Sequence, residues 1–255
     1  MAEALIKGLL KGTFPPAAIR VAEPSPERRQ FLAERYGIVL SSENREVVKE
    51  CDLIVLAVKP QIAEEVLSGI AASFSEKKLL VSILAGVTTE KLEASFDGSP
   101  RVVRAMPNTP ARVGCGVTAL APGTFATDET KQLAEAVFGA VGPLVWLEED
   151  KLDAVTALSG SGPAYVFLVA EALVEAGVSL GLPRDVAETL TFATIEGAGR
   201  MLRQTGEPAA VLRAQVTSPG GTTAAALSVL EAMAVRAAFG EAVRAAHRRS
   251  LELGS

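Results

Sequence analysis

The sequence predicts an α/β protein in which a mostly parallel sheet domain is followed by an all-helical domain. Three observations carry this. Short apolar runs alternate with amphipathic segments through the first half of the chain, the spacing of strands joined by crossover helices. From Glu149 onward no run reads as a strand, and the chain consists of Ala- and Leu-rich helical segments. Hydrophobic residues make up 49% and aromatic residues only 5%, so the core must pack Ala, Val and Leu, which suits closely spaced helices. The boundary is set near Glu148, giving domains over 1–148 and 149–255.

Taken in order, residues 1–10 read as a helix and residues 19–22 as a strand. Residues 26–36 form a helix with Pro26 in its first turn, where the missing N–H costs nothing. The continuous apolar run 52–58 reads as a strand buried on both faces. Runs 79–84 and 102–106 repeat the pattern, and 113–120, a helix near 128–138 and a strand at 144–147 extend the sheet. In the second domain the helices break at Ser159-Gly160-Ser161-Gly162-Pro163, Gly181-Leu182-Pro183, Gly206-Glu207-Pro208 and the stretch 216–223. About a hundred residues of helix with wide apolar stripes imply partner helices.

Composition narrows the function. A formal net charge of -5 argues against nucleic acid as a partner. Cys51 and Cys115 lack metal-ligand spacing and read as buried thiols in a reducing compartment. The single His247 sits beside Arg248 and Arg249 and reads as a solvated helix-end residue, so zinc sites and Ser-His or Cys-His triads have little support, and no metal is assigned. The most apolar run, 165–182, is interrupted by Glu171 and Glu175 and reads as a buried helix rather than a membrane span. The N-terminus does not resemble a secretory signal, and a cytoplasmic location is expected.

The most informative stretch is Val216-Thr217-Ser218-Pro219-Gly220-Gly221-Thr222-Thr223. Adjacent glycines remove side chains where a backbone could approach a ligand, and Pro219 stiffens the turn. A helix opens near Thr223, so free N–H groups and the positive end of the dipole point out of the turn, as a carboxylate or phosphate requires. An ordinary loop with a Ser or Thr cap is the competing reading.

This octet is similar to the signature of pyrroline-5-carboxylate reductases, which make proline by reducing a cyclic imine. Ala57-Val58-Lys59-Pro60, Leu84-Ala85-Gly86-Val87-Thr88, Met106-Pro107-Asn108-Thr109-Pro110 and Leu158-Ser159-Gly160-Ser161-Gly162-Pro163-Ala164-Tyr165 support the resemblance. Their joint occurrence in this order is specific, and the resemblance covers nearly the whole chain. It implies a Rossmann-like dinucleotide-binding domain over 1–148 and a substrate-binding and dimerisation domain over 149–255. It further implies reduction of 1-pyrroline-5-carboxylate to L-proline with NADPH, NADH being the second option. The expected assembly is a homodimer interleaved through the helices, which in some members builds further into a ring.

A dinucleotide-binding fold normally opens with a strand, a Gly-x-Gly-x-x-Gly turn and a helix. Here residues 1–10 already read as that helix, so the family's opening strand and glycine turn would lie upstream of Met1. Two explanations stand: a start placed at an internal methionine, which the intact downstream pattern favours, or a truncated product. Either way the sheet is expected to carry unpaired edges, and the chain to bind a dinucleotide less well than its relatives.

By resemblance, Ser218, Gly220, Gly221, Thr222 and Thr223 bind the substrate, with backbone N–H groups of Gly221, Thr222 and Thr223 holding the carboxylate. Thr223 is the catalytic candidate: its hydroxyl lies nearest the imine nitrogen, to donate a hydrogen bond or relay a proton. Gln215 stands where relatives often carry Asn, which keeps the amide on a longer arm. Ser25, Asn44, Ala57, Val58, Lys59, Pro60, Leu84, Ala85 and Asn108 are assigned to the cofactor, with Asn108 on the nicotinamide side. Glu23 is a residue type that holds a ribose diol and disfavours a 2′-phosphate. Ser25, Asn44, Arg28 and Arg29 could accept that phosphate, although the two arginines read equally as solvated helix residues.

Two other functions compete. A β-hydroxyacid dehydrogenase resembles this layout but uses a lysine on a long helix after the sheet domain. Lys151, the only lysine past the boundary, sits at the start of the first helix without that family's motif. The other is an N-terminally truncated, catalytically impaired helical dimer acting as a scaffold or a proline-binding protein. The missing glycine turn favours it and the octet argues against it.

Overall fold

The computed structural model of the chain describes residues 1–12 and 14–254. Its contacts define two compact units. One is Met1–Ser161 together with the chain from Ala246 on, and the other is Gly162–Ala245. The division thus falls after Ser161, beyond the boundary expected near Glu148, and the end of the chain rejoins the first unit.

The first unit runs α1 (Ala2–Lys11), β1 (Arg20–Ala22), α2 (Pro26–Tyr36), β2 (Val39–Ser41), α3 (Asn44–Glu50), β3 (Leu53–Leu56) and α4 (Ala63–Ile70). It continues through β4 (Leu79–Ser82), α5 (Thr89–Glu93), β5 (Arg101–Pro107), β6 (Thr118–Pro122), α6 (Asp128–Phe138), β7 (Leu144–Trp146) and α7 (Leu152–Val155). Every strand pair is parallel except β5 with β6. The strands form two sheets, β1-β2 and β3-β4-β5-β6-β7. Among the described residues, one edge of β1 and one edge of β3 therefore lack a strand partner, as expected for this sequence.

Strand β4 is buried along its whole length because its alternate side chains enter different cores. Leu79 and Val81 join Ala4, Leu5 and Phe138 on one face, and Leu80 joins Leu67, Ile70 and Leu92 on the other. Phe138 is fully buried, so truncating it to Ala costs about 3–5 kcal/mol. Strand β3 departs from expectation. Ile54 and Leu56 are buried while Leu53 and Val55 are only half-buried, because β3 stands at the edge of its sheet.

Other differences are local. Val113 ends a 3₁₀ turn (Thr109–Val113), and the strand begins only at Thr118. Gly114, left-handed at φ 76°, turns the chain outward there, so Cys115 is exposed rather than buried. Cys51 is half-buried, and its burial raises the thiol pKa. His247 is half-buried rather than solvated. Residues 159–163 do not break the helix: a π-helical turn (Thr156–Gly160) leads through Ser161 into the next helix.

The second unit holds α8 (Gly162–Ser179), α9 (Arg184–Thr205), α10 (Ala209–Gln215), α11 (Thr222–Ala232) and the first part of α12 (Val235–Gly254). Helices α8 and α9 meet closely at Gly177, where a Cβ would lie 3.2 Å from the Ala187 Cβ. The 165–182 run is not a buried helix within one chain. Ala170 and Val174 are the buried residues of α8, while Phe167 and Leu168 are 62% and 66% exposed. A face so apolar marks an interaction surface. Among the described residues, the continuous helical stretch Glu149–Ser179 is also long and apolar enough to cross a membrane by length and composition.

Candidate functional site

In the second unit, the turn between α10 and α11 is built by three constraints. Gly220 adopts φ +69°, with nothing within 4 Å of a Cβ there. Gly221 approaches Ser218 so closely that a Cβ would collide with the Ser218 Oγ. The turn is closed by Gly221 N–H donating to Ser218 O at 3.1 Å. Upstream, Thr217 donates from N to Ala214 O at 3.0 Å and from Oγ1 to Arg213 O at 2.6 Å, fixing how the chain leaves α10.

Helix α11 then starts at Thr222 with Gly221 as N-cap and no side-chain cap. The N–H groups of Thr222 and Thr223, at the first two helical positions, have no partner within the helix by its own geometry. Groups of this kind at the positive end of a helix dipole are suited to an anion. One correction follows. Gly221 was expected to offer its N–H to a carboxylate, but the turn has already engaged that group. Gln215, the last residue of α10, and Ser218, Gly220 and Thr222 are exposed, and Thr223 is half-buried.

In the first unit, the cofactor candidates follow strand ends. Strands β3, β4 and β5 are parallel, which puts Ala57 to Pro60, Leu84 with Ala85, and Asn108 on one edge of the sheet. Ser25 and Asn44 likewise follow the parallel strands β1 and β2. Ser25 caps α2: its Oγ accepts from Arg28 N at 3.3 Å, while its own N–H donates to Glu23 Oε1 at 3.0 Å.

Glu23 therefore turns its carboxylate into its own turn. The arginines are neither free nor merely solvated. Arg29 Nη1 donates to the carbonyls of Glu23 and Pro24 at 2.6 and 2.9 Å. Arg28 pairs with Glu3 and stacks 4.8 Å from the Phe31 ring centre. Glu3 also accepts from Tyr36 Oη at 2.7 Å, and the Tyr36 and Arg28 hydrogen bonds lower its pKa.

Lys59 and Pro60 are exposed, with Pro60 opening a 3₁₀ turn. Leu84 is buried and its N–H donates to Ser82 Oγ at 3.3 Å, while Ala85 is exposed. Asn108 is held by the protein itself. Its side chain is buried, Oδ1 accepts from Val117 N at 3.0 Å, and Nδ2 donates to Ser159 O at 3.2 Å. One bond at each end of the amide thus ties Asn108, and with it the end of β5, to the π-helical turn and to Val117.

A cluster that sequence patterns did not reveal stands beside the loop after β4. Glu149 accepts from Thr89 N at 2.8 Å, Thr89 Oγ1 at 2.5 Å and Arg104 Nη1 at 2.7 Å. Burial raises the Glu149 pKa, but the hydrogen bonds from Arg104 and Thr89 outweigh it and hold the carboxyl below its ordinary value. Lys151, by contrast, is exposed and paired with Asp150 at 2.6 Å, which gives it no setting for acid–base work. Among the described residues, no group of three or more His, Cys, Asp or Glu could hold a metal.

The strand-end residues fit a dinucleotide. A serine hydroxyl opening a helix and the exposed residues Asn44, Lys59 and Pro60 are of the kinds that ribose and phosphate take up. Helix α1 starts at Ala2, with Met1 as N-cap and no side-chain cap.

Comparison with known proteins agrees with both halves. The family described as "NADP oxidoreductase coenzyme F420-dependent" matches residues 1–86, and "Pyrroline-5-carboxylate reductase dimerisation" matches residues 149–253. A pyrroline-5-carboxylate reductase of Synechocystis is 44% identical over 255 residues, covering 100% of this chain and 95% of that protein. One of Arabidopsis thaliana is 42% identical, covering 99% and 92%. The structure of a pyrroline-5-carboxylate reductase from Coxiella burnetii superposes with a TM-score of 0.96 at 41% identity, over 100% of this chain and 95% of that one. The Plasmodium falciparum enzyme, solved with NADP bound, gives 0.87 at 34% identity, over 99% and 94%. Identity at this level along the whole chain leaves the scaffold reading without support. Similarity of this degree over the whole length shows that the chain belongs to the pyrroline-5-carboxylate reductase family.

Proposed function

We infer that the chain reduces 1-pyrroline-5-carboxylate to L-proline, the last step of proline biosynthesis, with NADPH as reductant. The observation that carries the reading is the Ser218–Gly221 turn opening into a helix whose first N–H groups are left for an anion. When bound, NADPH supplies the hydride taken up at the imine carbon. The N–H groups of Thr222 and Thr223 hold the substrate carboxylate and so fix the ring. The Thr223 hydroxyl donates a hydrogen bond to the imine nitrogen, drawing electron density from the carbon that is reduced. Water supplies the nitrogen proton, so no histidine or metal is needed. Ser218 shapes the turn from its contact with Gly221, Gly220 supplies the left-handed bend, and Gln215 reaches the substrate from the end of α10.

Cofactor binding falls to Ser25, Asn44, the backbone of Ala57 to Pro60, and Leu84 with Ala85. Asn108 completes this edge, its side chain holding the end of β5 to Val117 N and Ser159 O. Residues 1–148 serve as the dinucleotide-binding domain and 149–255 as the substrate-binding and dimerisation domain. The exposed apolar faces of α8 and α9 support a homodimer, with rings of dimers as the further assembly. The free thiols Cys51 and Cys115 support a reducing, cytoplasmic setting. The test is NADPH oxidation followed by absorbance with and without pyrroline-5-carboxylate. Substrate-dependent loss of NADPH with matching formation of proline is expected, and its absence at high enzyme concentration would refute the assignment.

A further inference from the structure

The loop between β4 and α5 is held from two sides. At its far end, Thr89 is fastened to Glu149 and through it to Arg104 on β5. At its middle, Gly86, at φ +74°, meets the last turn of α12: a Cβ there would lie 2.9 Å from Leu253 O and 3.1 Å from Gly254 Cα. Between these supports, Ala85 is exposed.

Apolar burial does not seat that last turn. Leu251 and Leu253 are 49% and 62% exposed, and Ser250 is the buried residue of α12. Helix ends fray unless tied down. The tie here is Ser250 Oγ donating to Asp153 Oδ1 at 2.5 Å. Asp153 is itself well founded, because its neighbour Leu152 is buried against Ala119 and Ala121 of β6. A path of direct contacts thus runs from the sheet through α7 and Ser250 to the turn that presses on Gly86.

We propose that Ser250 is a positioning residue for the cofactor: its hydrogen bond to Asp153 seats the end of α12 against Gly86 and so fixes the loop that carries Leu84 and Ala85. The proposal rests on the reading of that loop as a cofactor contact. Ser250 touches neither substrate nor dinucleotide, and its effect is expected on dinucleotide affinity rather than on the chemical step.

The experiment compares the native chain with Ser250→Ala and Ser250→Thr. It uses hydrogen–deuterium exchange of peptides spanning residues 84–88, fluorescence titration with NADPH, and steady-state kinetics. Ser250→Ala should speed exchange at 84–88 and weaken NADPH binding about threefold to tenfold, the loss of one hydrogen bond to a charged acceptor diluted through a loop. The KM for pyrroline-5-carboxylate and the kcat at saturating NADPH should hold, and Ser250→Thr, which keeps the hydroxyl, should restore affinity. Unchanged exchange in Ser250→Ala overturns the positioning role itself. Faster exchange with unchanged NADPH affinity also overturns the proposal, and locates the error in assigning the loop to the cofactor. Loss of affinity in Ser250→Ala that Ser250→Thr fails to restore overturns the role of the hydroxyl.

Discussion

Substituting the two glycines of the α10–α11 turn one at a time separates backbone strain from substrate contact. At Gly220 the space for a Cβ is open but φ is +69°, so Gly220→Ala meets strain alone, about 1–2 kcal/mol. At Gly221 φ is -79°, which any residue adopts, so alanine meets no strain. Its Cβ instead meets the Ser218 Oγ, with Ser218 O at 3.2 Å. The hydroxyl can rotate away, but the carbonyl belongs to the bond that closes the turn at 3.1 Å, so the backbone must give by a few tenths of an ångström. That shift moves the Thr222 and Thr223 N–H groups off a bound carboxylate. Losing the equivalent of one hydrogen bond to a charged acceptor is worth about 1.5–3 kcal/mol, or roughly a ten- to hundredfold fall in kcat/KM. Gly220→Ala should therefore lower the unfolding midpoint with a modest kinetic effect. Gly221→Ala should barely move the midpoint while sharply raising the KM for pyrroline-5-carboxylate. Thermal unfolding and steady-state kinetics with each substrate varied would test this. An unchanged substrate KM in Gly221→Ala, or a rise confined to NADPH, would refute the carboxylate reading of the turn.

Thr223→Ala should cut kcat by roughly ten- to a thousandfold, the loss of a hydrogen bond at the reacting nitrogen, while NADPH affinity holds; undiminished turnover removes Thr223 from the mechanism. Proline should bind at least about tenfold more tightly than prolinamide, because N–H groups at a helix start and the dipole favour an anion; calorimetry with NADP⁺ present checks this, and equal affinity contradicts it. The Glu149 carboxyl lies below its ordinary 4.5 in the folded chain, so its stabilisation is complete above that value and is lost as pH falls through the folded pKa. Glu149→Gln should accordingly unfold at a lower temperature near neutrality and approach the native midpoint in acid. A constant difference at all pH values would show that the charge contributes nothing.

Local chemistry made much of this molecule legible. Pro26 announced α2, and the Gly-Gly-Thr-Thr run announced the start of α11, because helix starts and turns act over a few residues. The strand at 79–82 was readable from its apolar run. The half-exposed face of β3 was not, since burial there depends on which strand stands beside it. The cluster of Glu149, Thr89 and Arg104 joins residues 60 and 45 positions apart, and no periodicity records such a meeting. Asn108 illustrates the reverse limit. Its place between Pro107 and Pro110 is plain in the sequence, but its side-chain partners Val117 N and Ser159 O are set by tertiary contacts alone.

The return of α12 bears on how the chain reaches its native state. The Ser250–Asp153 bond closes over 97 positions, and the last turn of α12 that meets Gly86 is synthesised long after the β4–α5 loop it supports. Contacts of such sequence separation form late and slowly. The sheet of the first unit can assemble during synthesis, but its β4–α5 loop lacks its α12 support until α12 itself has been made. A ribosome-stalled nascent chain ending before Ala246 should therefore acquire a protected β4 while residues 84–88 remain open to exchange.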